Sequence, residues 1–293
     1  MPDYLLNYYY QREMRNFREF DGNSKEVYQN AVDRKEDELL RARLKGITAI
    51  LDSQYDIYDY NFNQGSLALL KGNPLFTVHS SDIKSLYGYD TLILRELRRK
   101  IQKKIPAAVR YTCQYCTVTP IESFDHYLPK EEFPEYAIHT NNLIPCCKTC
   151  NGYKSYVWRN ATGGRLFINL YRDPVPDQRF LFVEVLDDGD GDLDFRYYLA
   201  NPEGIPAHTF NLVKSHFTRL RLEERMRMKA VGIISELENS MLISKLNIAD
   251  SASEVIASAE RNFVSYGSNY WRSIAEIALV ESPLFLERLS SQL

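Results

Sequence analysis

The sequence predicts an α+β protein, mostly helical, in which a small metal-stapled module sits between helical segments and is followed by a β-hairpin. Three observations carry this. Apolar residues recur at helical spacing towards both ends of the chain. All five cysteines fall between Cys113 and Cys150. Two strand-like runs flank the acidic string Asp187-Asp-Gly-Asp-Gly-Asp.

Three regions follow: a helical N-terminal region over 1–106, the cysteine module over 107–170, and a hairpin plus helical C-terminal region over 171–293. Residues 24–53 read as a helix that Asn23 or Ser24 can cap, with Val27, Ala31, Leu39, Leu40, Leu44, Ile47 and Ile50 on its apolar stripe. Asn61-Phe-Asn-Gln-Gly and Gly72-Asn-Pro are loop punctuation. A second helix begins near Ser81 or Asp90 and runs to Ile105, before Pro106. Its end, Arg95-Glu-Leu-Arg-Arg-Lys-Ile-Gln-Lys-Lys, is the most basic stretch of the chain. A solvated basic face explains it, since cations near a helix C-terminus are favoured by the dipole. Its position, leading straight into the cysteine region, offers the alternative of a phosphate-gripping surface with Arg98, Arg99 and Lys103.

Beyond the module, Asn160-Ala-Thr-Gly-Gly-Arg is a loop. Arg179-Phe-Leu-Phe-Val-Glu-Val-Leu and Asp194-Phe-Arg-Tyr-Tyr-Leu form the hairpin. The acidic turn between them invites a calcium reading. It lacks the sixth-position Gly and the distal Glu of an EF-hand loop, and a tight Asp/Gly turn explains it better. Thr209 to Leu242, 252–267 and 268–290 are helical, with Pro283 interrupting the last.

With 44% hydrophobic and 26% charged residues over 293, the chain has the composition of a soluble globular protein. Tyr is abundant, and Tyr8, Tyr9, Tyr10, Tyr55, Tyr58 and Tyr60 sit in the N-terminal third, suiting a core edge or an interface equally well. A net charge of −3 makes it no polycation, so nucleic-acid binding needs local basic patches. No run approaches the ~20 apolar residues of a membrane span. The start has no basic stretch followed by an apolar one, so no secretory signal is expected and the protein reads as cytoplasmic.

Cysteines clustered in a long chain point to metal rather than disulfides. Cys113-Gln-Tyr-Cys116 and Cys147-Lys-Thr-Cys150 are two CxxC pairs separated by thirty residues. Each makes a tight knuckle with two thiolates, and two knuckles complete a tetrahedral four-thiolate site suited to zinc, Zn2+. Cys146 reads as a small buried residue, since using it in place of Cys147 breaks the spacing. Four thiolates leave zinc no open position, so the ion is structural and any chemistry lies between the knuckles.

Between them lie Ser123-Phe-Asp-His-Tyr-Leu-Pro-Lys130 and Asn141-Asn-Leu-Ile-Pro-Cys-Cys-Lys-Thr-Cys-Asn-Gly-Tyr-Lys-Ser155. The order CxxC, Asp-His then Pro, Asn-Leu, CxxC-Asn-x-x-Lys resembles the four-cysteine form of the HNH, or ββα-metal, endonuclease family. The resemblance covers about a sixth of the chain. It implies a ββα module in which Asp125 is the metal-binding carboxylate and His126 the general base. It further implies that Asn142 pins the connection between the strands and orients the histidine. Asn151 stands at the third HNH position, where many relatives have His, and would ligate metal through its amide oxygen. Lys154 matches a lysine that approaches phosphate, and Lys148 is a further nucleic-acid contact. His139 is either a fourth participant or a surface or loop histidine. His79, His208 and His216 have no motif around them.

The chemistry is sound without the family. Phosphodiester hydrolysis needs a hard cation, an activated water and a stabilised leaving group. Asp and an amide oxygen make a hard partial shell suited to Mg2+ or Mn2+. His126, adjacent to Asp125, points to the other side of a strand. A neutral imidazole can take a proton from water at working pH, while the metal stabilises the departing 3′ oxygen. In-line attack would leave 5′-phosphate and 3′-hydroxyl ends.

The expected function is therefore metal-dependent endonucleolytic cleavage of DNA. Finer similarities in the Asp-His-Tyr-Leu-Pro-Lys and Asn-Asn-Leu-Ile-Pro-Cys-Cys strings resemble HNH effectors of bacterial anti-phage defence, such as Septu-type nuclease subunits, which implies an ATPase or other defence-system partner. Three rivals stand beside it: an RNA-cleaving HNH effector, a zinc module that binds nucleic acid or protein without cutting, and a subunit that docks a larger partner.

Overall fold

The computed structural model describes residues 22–189 and 191–292. The sequence-based expectations that touch Tyr8, Tyr9, Tyr10 and the chain start lie outside the described residues, as does Asp190. The chain divides into two compact units, one running to Val175 apart from Cys116–Val118, the other comprising Pro176 onward together with that segment. The N-terminal helices fall in the same unit as the cysteine module, with no division at 106. The architecture is α+β and mostly helical, with two separate two-stranded sheets.

The single helix expected over 24–53 is three: α1 (Ser24–Asp33), α2 (Glu38–Gly46) and α3 (Thr48–Gln64). Asn23 caps α1 by accepting from Lys25 N and Glu26 N at 3.1 and 3.2 Å, and Asp37 starts α2 by accepting from Leu40 N at 2.9 Å. The segment Asn61–Gln64, expected to be a loop, is the last turn of α3. Phe62 is drawn into the core, and Gly65, at φ 68°, supplies the left-handed cap whose N–H bonds to Phe62 O.

A short α4 (Ser80–Lys84) precedes α5 (Leu92–Lys104), which Thr91 caps. Leu94, Leu97 and Ile101 are buried on one face of α5, while Arg99 and Lys103 are exposed.

β1 (Ser123–His126) pairs antiparallel with β2 (Leu143–Cys146), setting Asp125 opposite Ile144 and His126 opposite Leu143. All eight residues are buried, unusual for so short a ribbon. The sixteen-residue connection is wound into two 3₁₀ turns, Pro134–Tyr136 and Thr140–Asn142. α6 (Lys148–Lys154) follows β2 directly, giving a β–β–α order. Around it, Tyr28, Tyr55, Tyr58, Phe76, Phe124, Tyr127, Phe133 and Tyr136 make an aromatic core. Tyr60, by contrast, is 66% exposed.

In the second unit the expected hairpin is present as β3 (Leu181–Asp187) and β4 (Leu193–Leu199), in register from Leu181–Leu199 to Asp187–Leu193. Leu193, Phe195 and Tyr197 alternate inward. The acidic turn is closed by its own groups: Asp187 accepts from Gly189 N and Asp188 from Asp192 N.

The helix expected from Thr209 to Leu242 is two, α7 (Ala207–Arg219) and α8 (Leu222–Leu242), because Arg221 turns through φ 52° so that Leu220 and Leu222 can both be buried. α9 (Ile248–Tyr266), α10 (Trp271–Glu281) and α11 (Pro283–Ser290) complete the chain, Pro283 opening the last. No helix of the described residues is long and apolar enough to cross a membrane.

Candidate metal centre and active site

The Sγ atoms of Cys113, Cys116, Cys147 and Cys150 all lie within 4.8 Å of one another, and all four residues are buried. A zinc ion with Zn–S bonds of about 2.3 Å places tetrahedral sulfurs roughly 3.8 Å apart, so the cluster can hold one. Both knuckles aim N–H groups at sulfur: Val118 N donates to Cys116 Sγ at 3.4 Å, and Cys150 N to Cys147 Sγ at 3.3 Å. Within the second unit, the Arg225 guanidinium lies 3.6 Å from Cys116 Sγ. These donors favour thiolate. Cys146 is buried outside the cluster, 3.4 Å from Ser123 Oγ, and burial pushes its thiol well above the ordinary range. It stays a neutral thiol, as its position in the sequence suggests.

Beside the knuckles, the end of β1 carries Asp125 and His126 into the interior. The His126 Nε2 lies 2.8 Å from Ala137 O. A carbonyl only accepts, so Nε2 carries the proton and Nδ1 of the neutral ring is bare. Tyr87 packs its ring edge-on at 4.5 Å and donates its hydroxyl to Phe124 O at 3.2 Å. Burial first, then the positive charges of Lys130 and Lys154, hold the imidazole down to about 3 against the partial support of Ala137, so it is neutral at neutral pH.

The acceptor carbonyl is placed by Asn142. Its Nδ2 donates to Leu128 O and Tyr136 O, both at 3.0 Å, while its Oδ1 accepts from Leu128 N at 2.7 Å. Asn142 thus ties both ends of the β1–β2 connection to one side chain, and Ala137 is the residue next to the tied Tyr136. Tyr58 adds a hydroxyl to Asn141 O at 3.1 Å.

Each oxygen of Asp125 has one protein donor. Its Oδ1 accepts from Lys154 Nζ at 3.0 Å and its Oδ2 from Tyr115 OH at 2.7 Å. Lys154 also donates to His126 O at 2.7 Å and is wholly enclosed. The phosphate contact expected of Lys154 is therefore corrected: α6 turns this side chain inward, and its ammonium serves as a counter-ion for a buried carboxylate. Asn151, half-buried on the same helix, donates Nδ2 to Phe124 O at 3.2 Å, which directs its Oδ1 away from that carbonyl. A carboxylate has about four lone-pair sites, so Asp125 retains acceptor capacity beside its two bonds. Asp125 and Asn151 together offer hard oxygen donors but no closed shell, unlike the four thiolates.

Of the other expected contacts, Lys148 is exposed at the start of α6, and Arg98 is half-buried on α5 with its guanidinium 4.2 Å above the Tyr89 ring. His139 is no surface residue. It is fully buried against Tyr55, Tyr58 and Tyr136, with Nε2 3.3 Å from Asp59 Oδ1 but out of line for a hydrogen bond. His79 is half-buried and His208 exposed, and His216 is enclosed within its own unit.

Three participants escaped the sequence reading. Tyr115 is the inner residue of the first knuckle, and its place between two ligands was a usable signal. Lys130 lies four residues beyond His126 in the same string. Ala137 acts through its carbonyl, which leaves no trace in side-chain identity.

Among curated proteins, the chain is similar to Protein ea31 of Escherichia phage lambda, at 23% identity over 128 residues, 43% of this chain and 43% of that protein. The chain thus matches less than half the length of that relative. No family model matches the chain, and no solved structure matches it.

Proposed function

We propose that residues 111–155 form an HNH-type, ββα-metal endonuclease site that hydrolyses phosphodiester bonds of DNA. The hydrogen bond from His126 Nε2 to Ala137 O carries this reading, because it leaves a neutral imidazole with a bare nitrogen at the end of a strand that also bears Asp125. That is what a general base acting on water requires.

In the proposed reaction His126 Nδ1 takes a proton from the attacking water. An arriving phosphate raises the imidazole's proton affinity from its buried resting state, because a nearby negative charge favours the imidazolium. Asn142 keeps the ring aimed by holding the Tyr136–Ala137 segment. Asp125 and Asn151 supply hard oxygens, and Mg2+ or Mn2+ bound there supplies positive charge at the phosphate and the departing oxygen. Lys154 and Tyr115 hold the Asp125 carboxylate in place. Zinc on the four cysteines fixes the strand and helix that carry these groups.

A second reading, a zinc module that binds without cutting, draws on one observation: both Asp125 oxygens already have protein partners. On the sequence resemblance alone we infer a setting in bacterial anti-phage defence or restriction, with an ATPase or other partner protein.

The test is incubation of the purified protein with plasmid DNA and with total RNA, in Mg2+ or Mn2+ and in chelator. DNA nicked or linearised only with metal is the expected result. Cleavage of RNA alone selects the RNA-directed alternative, and intact substrates throughout would favour the binding module.

A further inference from the structure

Two cations border the same strand end, each mounted on a tyrosine. Lys130 Nζ sits 4.8 Å above the centroid of Tyr87, whose edge meets His126 at 4.5 Å. Arg98 sits 4.2 Å above Tyr89, whose ring packs at 5.8 Å against Phe124, the residue before Asp125. The Tyr87–Tyr89 segment is thereby wedged along β1, and each of its two tyrosine rings carries a positive charge over one face. Arg98 Nη1 is enclosed and has no hydrogen-bond partner, a costly state for a guanidinium donor. No carboxylate forms an ion pair with Arg98 or Lys130 among the described residues, whereas arginines elsewhere in this unit, such as Arg43 and Arg165, do pair with acids. Stacking on a ring holds a cation in one place without neutralising it. An arginine held flat in this way offers the unenclosed part of its guanidinium to a phosphodiester in a fixed orientation.

We propose that Arg98 and Lys130, propped on Tyr89 and Tyr87, form a phosphodiester-binding subsite that takes backbone phosphates of a nucleic-acid strand beside His126. The inference rests on the nuclease reading for its ligand class, but it concerns binding and not cleavage. Its donors are a guanidinium and an ammonium, which meet phosphate oxygens by charge and hydrogen bonding, so the subsite grips backbone. Arg98 is the strong contact, with Lys130 a point charge over the ring that meets the imidazole edge-on. Arg99 and Lys103, exposed further round and along α5, stand outside it.

The test is binding of a fluorescent single-stranded DNA oligonucleotide to the full zinc-loaded chain without added Mg2+ or Mn2+, by anisotropy across a salt series. Wild type is compared with Arg98→Gln/Lys130→Gln and with Arg99→Gln/Lys103→Gln. Loss of two single-strand phosphate contacts lowers the slope of log K against log salt by about 1.4, which is about 25-fold in affinity at 0.1 M salt. That loss in the first variant only, with a melting transition like wild type, is the expected result. Arg98→Lys, which keeps the charge and loses the fork, should weaken binding with little change in slope. Equal losses in both double variants, or none in the first, would overturn the subsite. Wild type that binds as expected but never cuts would leave the subsite standing and sink the nuclease reading.

Discussion

Replacing Lys154 with Met leaves the volume of α6's inward side chain nearly unchanged and removes its charge. The Asp125 carboxylate then loses the donor at 3.0 Å to Oδ1, and His126 O loses its donor at 2.7 Å. Both members of the pair are at most 1% exposed, so water cannot replace the ammonium without local opening. Removing one partner of a buried pair costs about 3–5 kcal/mol. Tyr115 still donates to Oδ2, which places Lys154→Met near 3 kcal/mol. For a unit of this size that lowers the melting temperature by about 6–12 °C. The assay is thermal unfolding followed by circular dichroism with zinc retained. Asp125→Asn/Lys154→Met removes both charges and should recover much of the loss, giving a favourable coupling of about 2 kcal/mol in a double-mutant cycle. Added Mg2+ should also raise the melting temperature of Lys154→Met more than that of wild type, since the freed oxygen becomes available to the ion. A Lys154→Met protein that melts within about 2 °C of wild type would show that the buried pair is not what holds Asp125.

Three further outcomes are expected. Metal analysis should find one zinc per chain; Cys147→Ser should lose the zinc and the fold of the module, whereas Cys146→Ala keeps the zinc. Zinc loss in Cys146→Ala would place that residue among the ligands. Asn142→Ala orphans Leu128 N and Leu128 O and removes one of the two donors to Tyr136 O, which keeps His139 N, costing about 3 kcal/mol in denaturant unfolding and depressing any cleavage rate; an unchanged denaturation midpoint would contradict the pinning role.

Burial raises the Glu135 carboxyl from 4.5 to about 7, with Asn73 N at 3.2 Å from Oε1 giving partial relief. The folded state therefore holds a proton that the unfolded state has lost between those values. Stability contributed by this group is full below 4.5 and is lost as pH rises through 7, by roughly 3 kcal/mol. Buried His126 and His139, both shifted down, act in the opposite sense, so the comparison is between Glu135→Gln and wild type at each pH. Glu135→Gln should melt higher than wild type at pH 8 and near it at pH 4.5; a lower melting point at pH 8 would reverse the sign.

The four-cysteine cluster was legible because its signal is spacing alone, and a CxxC pair needs no tertiary context. The hairpin was legible because alternation and a turn string coincide at Asp187–Asp192. The helices of the N-terminal region were legible as helix but not as three helices. Asn23 and Asp37 are each ordinary polar residues until the backbone bends to meet them, and Phe62 looks like loop only if its burial is unknown. Lys154 was expected at a phosphate because it matches the lysine of the resembling family; a seven-residue helix set against a buried two-stranded ribbon leaves that position no solvent face. His139 was expected to be a further participant or a surface or loop histidine; it lies in the β1–β2 connection, where Tyr55, Tyr58 and Tyr136 enclose it. Where an interior polar network decides a side chain's direction, local sequence carries little of the information.

The most direct measurement is the single-turnover cleavage rate of His126→Ala against wild type, on the same DNA in Mg2+, with zinc content and melting temperature matched. Loss of a general base predicts a fall of about 10²–10⁴ in rate with substrate binding preserved. Equal rates for the two proteins would mean that His126 takes no proton from water and that the site between the knuckles is not a nuclease centre.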